Sequence, residues 1–195
     1  MSHIELNKIA DALRERRTVH EFKPQVPPLE TITTAIELAR WAPNHHRSEP
    51  WHFYLLDRNS ADRISNLNAE ILRASKGDKI AEIKRKRWSQ MPGWLVVSCA
   101  NSEDSLRARE DYAACACAVQ NMSLYLWEAG IGMKWTTGAI TRDPRFFDIV
   151  GMDFSAVSVV GLFWYGYPEI VPTQHRKSTE EIISHVVSDP PPTPS

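Results

Sequence analysis

PGWLVVSCANSEDSLRAREDYAACACAVQNMSLYLWEAGIGMKWTTG, residues 92–138, is the stretch on which the fold turns. Behind Pro92-Gly93, the continuous apolar run Trp94–Ala100 fits a central strand. From about Asp104 to Ala129 the pattern becomes helical, and within it Ala113, Ala114, Cys115, Ala116, Cys117 and Ala118 are all small. Apolar character nearly all round predicts a helix buried on most sides. The domain itself or a second copy of the chain can supply that burial, and small side chains, which permit close backbone approach, favour the second copy. Gly130-Ile131-Gly132 ends the helix, because glycine readily takes the left-handed C-cap conformation, and Met133–Thr137 reads as a short strand.

Working outward, Leu6, Ile9, Ala10 and Leu13 recur at helical spacing, as do Ile32, Ala35, Ile36 and Ala39. Between these two helices lies RERRTVHEFKPQVPP (14–28), an extended loop forced by prolines, with arginines at its start. The polar loop WAPNHHRSEP (41–50) feeds Trp51–Leu56, whose aromatic content suits a buried strand. Ile64, Leu67 and Ile71 suggest a third helix and KIAEIKRKRW (79–88) a fourth, its basic run read as solvated surface. Val157–Tyr165 gives a further strand. Ser178-Thr179-Glu180-Glu181 matches a capping box, so a short C-terminal helix is predicted after Arg176 and Lys177. Several helices with non-alternating strands make the fold class α+β. Residues 1–187 form one domain in this reading, and the Pro-rich tail 188–195 is expected to be disordered.

A chain of 195 residues, 43% hydrophobic and 24% charged, suits one globular core. A net charge of -1 offers nothing to nucleic acid or to an anionic membrane. No stretch approaches the roughly 20 apolar residues that span a bilayer. A cytoplasmic protein with reduced thiols is expected. Cys115 and Cys117, two apart on a helix, point roughly 200° apart and cannot share a metal, so both are read as buried packing residues. His45, His46 and His175 make no metal-binding spacing, and no metal is assigned.

The chain contains no GxGxxG, GxxxxGKS or GxSxG, so the chemistry falls to the polar loops. Arg16-Arg17-Thr18 offers two guanidinium forks and a hydroxyl at a helix end, able to hold a phosphate or the polar edge of a heterocycle. Taken alone, an arginine pair there serves the helix dipole equally well.

Four segments, LRERRTVHEF, ELARWAPNHHRSEPWHFYLLD, GIGMKWTTGA and HRKSTEEII, resemble in order the signature segments of the nitroreductase family, above all its short bacterial NAD(P)H-dependent members. The resemblance implies an intertwined homodimer with a central, mostly antiparallel sheet flanked by helices, and two FMN sites shared between subunits. By position, Arg16, Arg17 and Thr18 would contact the FMN, while Trp41 and His45 would reach it from the other subunit. Trp41 packing at its helix end and His45 ordering its loop are the alternatives. Trp135, Thr136 and Thr137 match positions lining the flavin, and Arg176 and Lys177 match a late basic pair on its phosphate, favoured by a following helix start. Exposed salt bridging is the alternative for that pair. The sequence departs from the family at Thr136, where close relatives carry a basic residue, and at Arg47 and Glu49, where many have amides. His20 stands where a basic side chain often faces the flavin pyrimidine, and would supply a positive partner if protonated.

The resemblance further implies hydride transfer from NADH or NADPH to FMN and then to an electron-poor acceptor such as a nitroaromatic or quinone, ping-pong at one site. A flavin-binding or regulatory module with little turnover, reductive dehalogenation and flavin destruction are the competing readings.

Overall fold

The computed structural model describes residues 3–186; the Pro-rich tail at 188–195 falls outside them. Helices α1 (His3–Glu15) and α2 (Leu29–Ala39) open the chain, followed by strand β1 (Trp51–Leu55) and helices α3 (Arg58–Lys76) and α4 (Asp78–Ser89). Then come β2 (Gly93–Ala100), α5 (Ser105–Glu128), β3 (Gly132–Thr136), α6 (Pro144–Val150) and β4 (Val157–Gly166). The four strands form one sheet in the order β1-β2-β4-β3, every neighbouring pair antiparallel. The architecture is α+β, as the sequence predicts.

Alternation along β2 sends its side chains to two cores. Leu95, Val97 and Cys99 join Phe163 and Tyr165 against the apolar faces of α2 and α5. Trp94 and Val96 join Leu162 and Trp164 against α3, α4 and α6, where Trp88, Trp94 and Trp164 meet edge to face with centroids 5.0–5.9 Å apart. A bulge interrupts this regularity. Val97 pairs with Gly161 but Ser98 with Val159, so Val160 is an extra residue on β4, and its side chain turns to the same core as Phe163.

Three expectations are corrected. The run 51–56 forms an edge strand that is only half-buried, because β1 has a neighbour on one side alone. On α5, Ala114, Cys115, Ala118, Val119, Met122 and Leu126 are buried, whereas Tyr112, Ala113, Cys117 and Gln120 face outward in the single chain. Cys117 is therefore exposed in the single chain, outside the core that holds Cys115; all three cysteines are free thiols. The predicted C-terminal helix reduces to one 3-10 turn, Thr179–Glu181. The capping box forms, with Glu181 accepting the Ser178 N–H at 2.9 Å, but Ile182 and Ile183 remain exposed. A single turn without a packed face has nothing to propagate it.

Candidate functional site

After α1 the chain runs along the outer edge of β3. Thr18 makes a parallel bridge with Met133, and the Val19 N–H donates to the Met133 carbonyl at 3.0 Å. Further on, Phe22 bridges Pro168, Lys23 N–H reaches the Tyr167 carbonyl at 2.9 Å, and Glu169 N–H reaches that of Glu21 at 2.9 Å. Gly132 makes the approach possible: a Cβ there would lie 2.2 Å from Val19 Cγ2, and Val19 is fully buried.

This path sets the two arginines at the end of α1. Arg17 donates to the carbonyls of Arg14 and Arg16, so it serves the helix terminus, the simpler of the two readings of the pair. Arg16 is half-buried, and burial together with the charges of Arg17 and Arg176 holds its guanidinium below its ordinary range. Arg176, 160 residues further along the chain, thus stands near enough for its charge to act on Arg16, and among the described residues none of the three guanidiniums forms an ion pair. Such a set is destabilised by itself and stabilised by an anion. Lys177 is exposed beside Arg176. The helix-start contribution predicted for this pair is absent, because the following turn is only three residues long.

On β3, Trp135 lies over Gly161, where a Cβ would come within 2.3 Å of its indole nitrogen. The indole N–H donates to the Val160 carbonyl at 3.0 Å, so the β4 bulge fixes the orientation of this partly exposed ring. Thr136 is half-buried, and Thr137 lines a cavity of about 510 Å³ with Tyr112, Thr141 and Arg142.

Two basic residues that the sequence reading passed over come to this edge. Lys134, two positions before Thr136 and so on the same side of β3, rests its ammonium 5.0 Å from the Trp164 ring centre. Arg87, from the run read as solvated surface, donates to the His20 carbonyl at 3.2 Å. Burial, then Arg87 and Lys84, lowers the Lys134 pKa. Burial, then Lys134 and Arg87, lowers that of His20, against a smaller opposing effect of Glu21. Lys134 and Arg87 therefore bring their positive charge to His20, which burial and these charges drive toward its neutral form.

The loop 41–50 is held elsewhere. Trp41 is 73% exposed and donates from its indole to Glu37 at 3.2 Å. His45 stacks on His46 with ring centres 3.8 Å apart, and its Nδ1 lies 2.9 Å from Glu110 on α5. His46, Arg47 and Glu49 all have positive φ, 59°, 54° and 42°. Non-glycine residues tolerate this only where the surroundings fix the loop. Ser48 donates to the buried Asp111 carboxylate at 2.5 Å, and Glu49 N–H donates to Asn44 Oδ1 at 3.1 Å. The contacts described within one chain do not bring Trp41 or His45 against the Arg16 and Trp135 set.

The largest cavity described, about 610 Å³ between Phe22, Leu56, Arg58, Met91, Trp94 and Tyr165, includes none of the predicted site residues. The predicted residues lie instead on an open surface of the single chain, where basic side chains and an oriented indole offer groups suited to a flat, anionic, aromatic molecule. Among the described residues no helix is long and apolar enough to cross a membrane.

Residues 13–167 match the model described as the nitroreductase family. The Bacillus subtilis (strain 168) protein named "Putative NAD(P)H nitroreductase YfhC" is 29% identical over 174 residues, covering 87% of this chain and 89% of the relative. The nitroreductase-like family protein from Bacillus cereus superposes with a TM-score of 0.80 at 27% identity, over 93% of this chain and 96% of that one. The FMN-dependent nitroreductase NfnB from Mycobacterium smegmatis, solved in complex with NADPH, has the same fold: TM-score 0.76, 15% identity, 94% of this chain and all of that one.

Proposed function

Because the chain belongs to the nitroreductase family, we propose that it binds FMN and passes hydride from NADH or NADPH to an electron-poor acceptor such as a nitroaromatic or quinone. The observation that carries this reading is the half-buried Arg16 at the end of α1, two residues before the Thr18 bridge to β3, with the charges of Arg17 and Arg176 acting on it and no ion pair to any of the three among the described residues. Arg16 and Arg176 would hold the phosphate, Arg17 adding field while it remains on its helix end, and Lys177 would stand at the entrance. Thr18 and the neutral His20 would hydrogen-bond the polar edge, with Lys134 and Arg87 behind them supplying the positive field that favours a reduced, anionic ring. Trp135, Thr136 and Thr137 would form the wall. When bound, the flavin supplies the hydride chemistry, so the chain's residues have to position and polarise, and donor and acceptor would use one site in turn.

The site is open in one chain, and a second copy would close it. Ile9 and Leu13 on α1, Leu38 and Trp41 at the end of α2, and Tyr112 on α5 are large exposed apolar side chains, alongside the outward Ala113 and Cys117. A homodimer burying them would bring Trp41 and His45 to the partner's flavin. We place this dimer in the cytoplasm, with residues 1–187 as its single folding unit.

The test is the visible spectrum of purified protein, followed by anaerobic NADH or NADPH and then a nitroaromatic. Yellow protein that bleaches with the nucleotide and recovers colour with the acceptor is the expected result. Colourless protein that FMN cannot reconstitute refutes the cofactor, and a yellow protein that neither nucleotide bleaches identifies a binding module instead.

A further inference from the structure

The loop 44–50 and α5 bring together a group of side chains that the flavin reading does not use as a set. One ligand atom each from His45, His46 and Glu110 lies within 4.8 Å of the other two, and the His45 Nδ1 to Glu110 Oε2 separation is 2.9 Å. Consecutive residues in extended chain point to opposite sides, but the left-handed backbone of His46 folds the two imidazoles onto one another. They border a cleft of about 380 Å³ with Asp104, Leu106 and Arg107. Asp104 is engaged as the cap of α5, accepting the Leu106 N–H at 2.8 Å, and Arg107 leans toward Asp111 at 3.7 Å, so neither occupies the space between the imidazoles and Glu110.

We propose that His45, His46 and Glu110 form a binding site for a borderline divalent transition-metal ion, with zinc as its representative. Two imidazoles and one carboxylate are the donor set such ions prefer, whereas magnesium and calcium call for oxygen ligands throughout. Zinc holds such ligands at about 2.0–2.2 Å, which requires them to stand about 3.3 Å apart, so the exposed His46 ring turns out of its stack to bind. Three protein ligands leave a position for water. The bound ion joins the loop to α5 at Glu110, next to the Ser48–Asp111 hydrogen bond, and holds in place the backbone segment with three left-handed residues.

The experiment is calorimetric titration of chelator-treated protein with zinc chloride, with magnesium chloride as comparison and flavin content measured in parallel. One zinc per chain is expected, and no magnesium. His46→Ala and Glu110→Gln change no residue assigned to the flavin, although both side chains touch His45, and should each weaken zinc binding roughly tenfold or more. His185→Ala should leave it as in the parent. Cobalt substitution gives a second readout, with visible bands in the parent that the two ligand variants lose, and circular dichroism verifies that each variant is folded. Absence of stoichiometric zinc binding, or folded ligand variants that titrate like the parent, overturns the site, whatever the flavin content.

Discussion

Gly132→Ala is the sharpest test of how this site is built. A Cβ at this position would lie 2.2 Å from Val19 Cγ2, 2.9 Å from Val19 Cβ and 3.2 Å from Pro168 Cγ. Carbon atoms pack at about 3.5–4.0 Å, so the Val19 methyl has to retreat by about 1.5 Å. It has nowhere to go: Val19 is fully buried, its χ1 is stiff, and its N–H is tied to Met133. The segment therefore lifts from β3 as a unit and carries Arg16, Thr18 and His20 with it. Overpacking costs about 1–3 kcal/mol, here at the upper end, and the lost backbone hydrogen bond about 1 kcal/mol more. A destabilisation of about 4 kcal/mol lowers Tm by about 8–16 °C in a chain of this size. Val19→Ala removes the nearest methyl but leaves its own Cβ close, so the double variant should recover about 1 kcal/mol relative to the sum of the single changes. Thermal unfolding of all four proteins, with flavin absorbance after desalting, measures both consequences. A Gly132→Ala protein that melts within about 1 °C of the parent and keeps its flavin refutes the reasoning.

Arg16→Ala should reduce flavin retained through desalting at unchanged Tm, whereas Arg14→Ala, whose side chain is exposed near Asp11, should not; equal retention in both rejects the assigned role of Arg16. His20, with its pKa lowered chiefly by burial and then by Lys134 and Arg87, binds fewer protons folded than unfolded. Its contribution to stability is therefore fully present above the ordinary imidazole value and declines as pH falls from there through the lower folded value. An NMR titration of flavin-free protein should find the His20 midpoint below the ordinary value and shifted upward in Lys134→Gln; a midpoint unmoved by that change contradicts the electrostatic account. Asp111→Asn should keep the fold but weaken the bond from Ser48, which hydrogen exchange would show as faster exchange in residues 44–50 than in the parent; equal protection denies the clamp.

The strands Trp94–Ala100 and Val157–Tyr165 were legible because continuous apolar runs bounded by turn residues leave few alternatives, and the structure places them at Gly93–Ala100 and Val157–Gly166. Helix α6 went unread despite Asp143 at its cap and Pro144 at its first position, since seven residues scarcely establish a period. Cys117 misled because a helix with small residues all round does not declare which side faces its own sheet. The capping box at Ser178 was correctly seen, yet a cap only starts a helix, and nothing packs on Ile182 to continue it. At the site, Arg16 was readable as a candidate from its residue type, but only the resemblance, not any spacing, put it with Arg176 on one cofactor. Lys134 and Arg87 were missed for the same reason: their relation to His20 is made by the sheet edge, not by spacing. His45 and His46 lie 64 or more residues from Glu110, and no local pattern links them.

The edge segment at Thr18–Lys23 also orders events during synthesis. Its partners are Met133, Tyr167, Pro168 and Glu169, so this stretch has to wait for well over a hundred further residues before it can settle. The sheet pairs β1 with β2 and β2 with β4 by shorter closures, and the stretch bearing Arg16 docks only after residues 132–133 and 167–169 have emerged. Contacts of such sequence separation form late and carry a large loop-closure entropy. A nascent chain therefore builds its hydrophobic core before it can own a binding surface, and a chain stopped short of residue 132 has Arg16 and no strand edge on which to hold it.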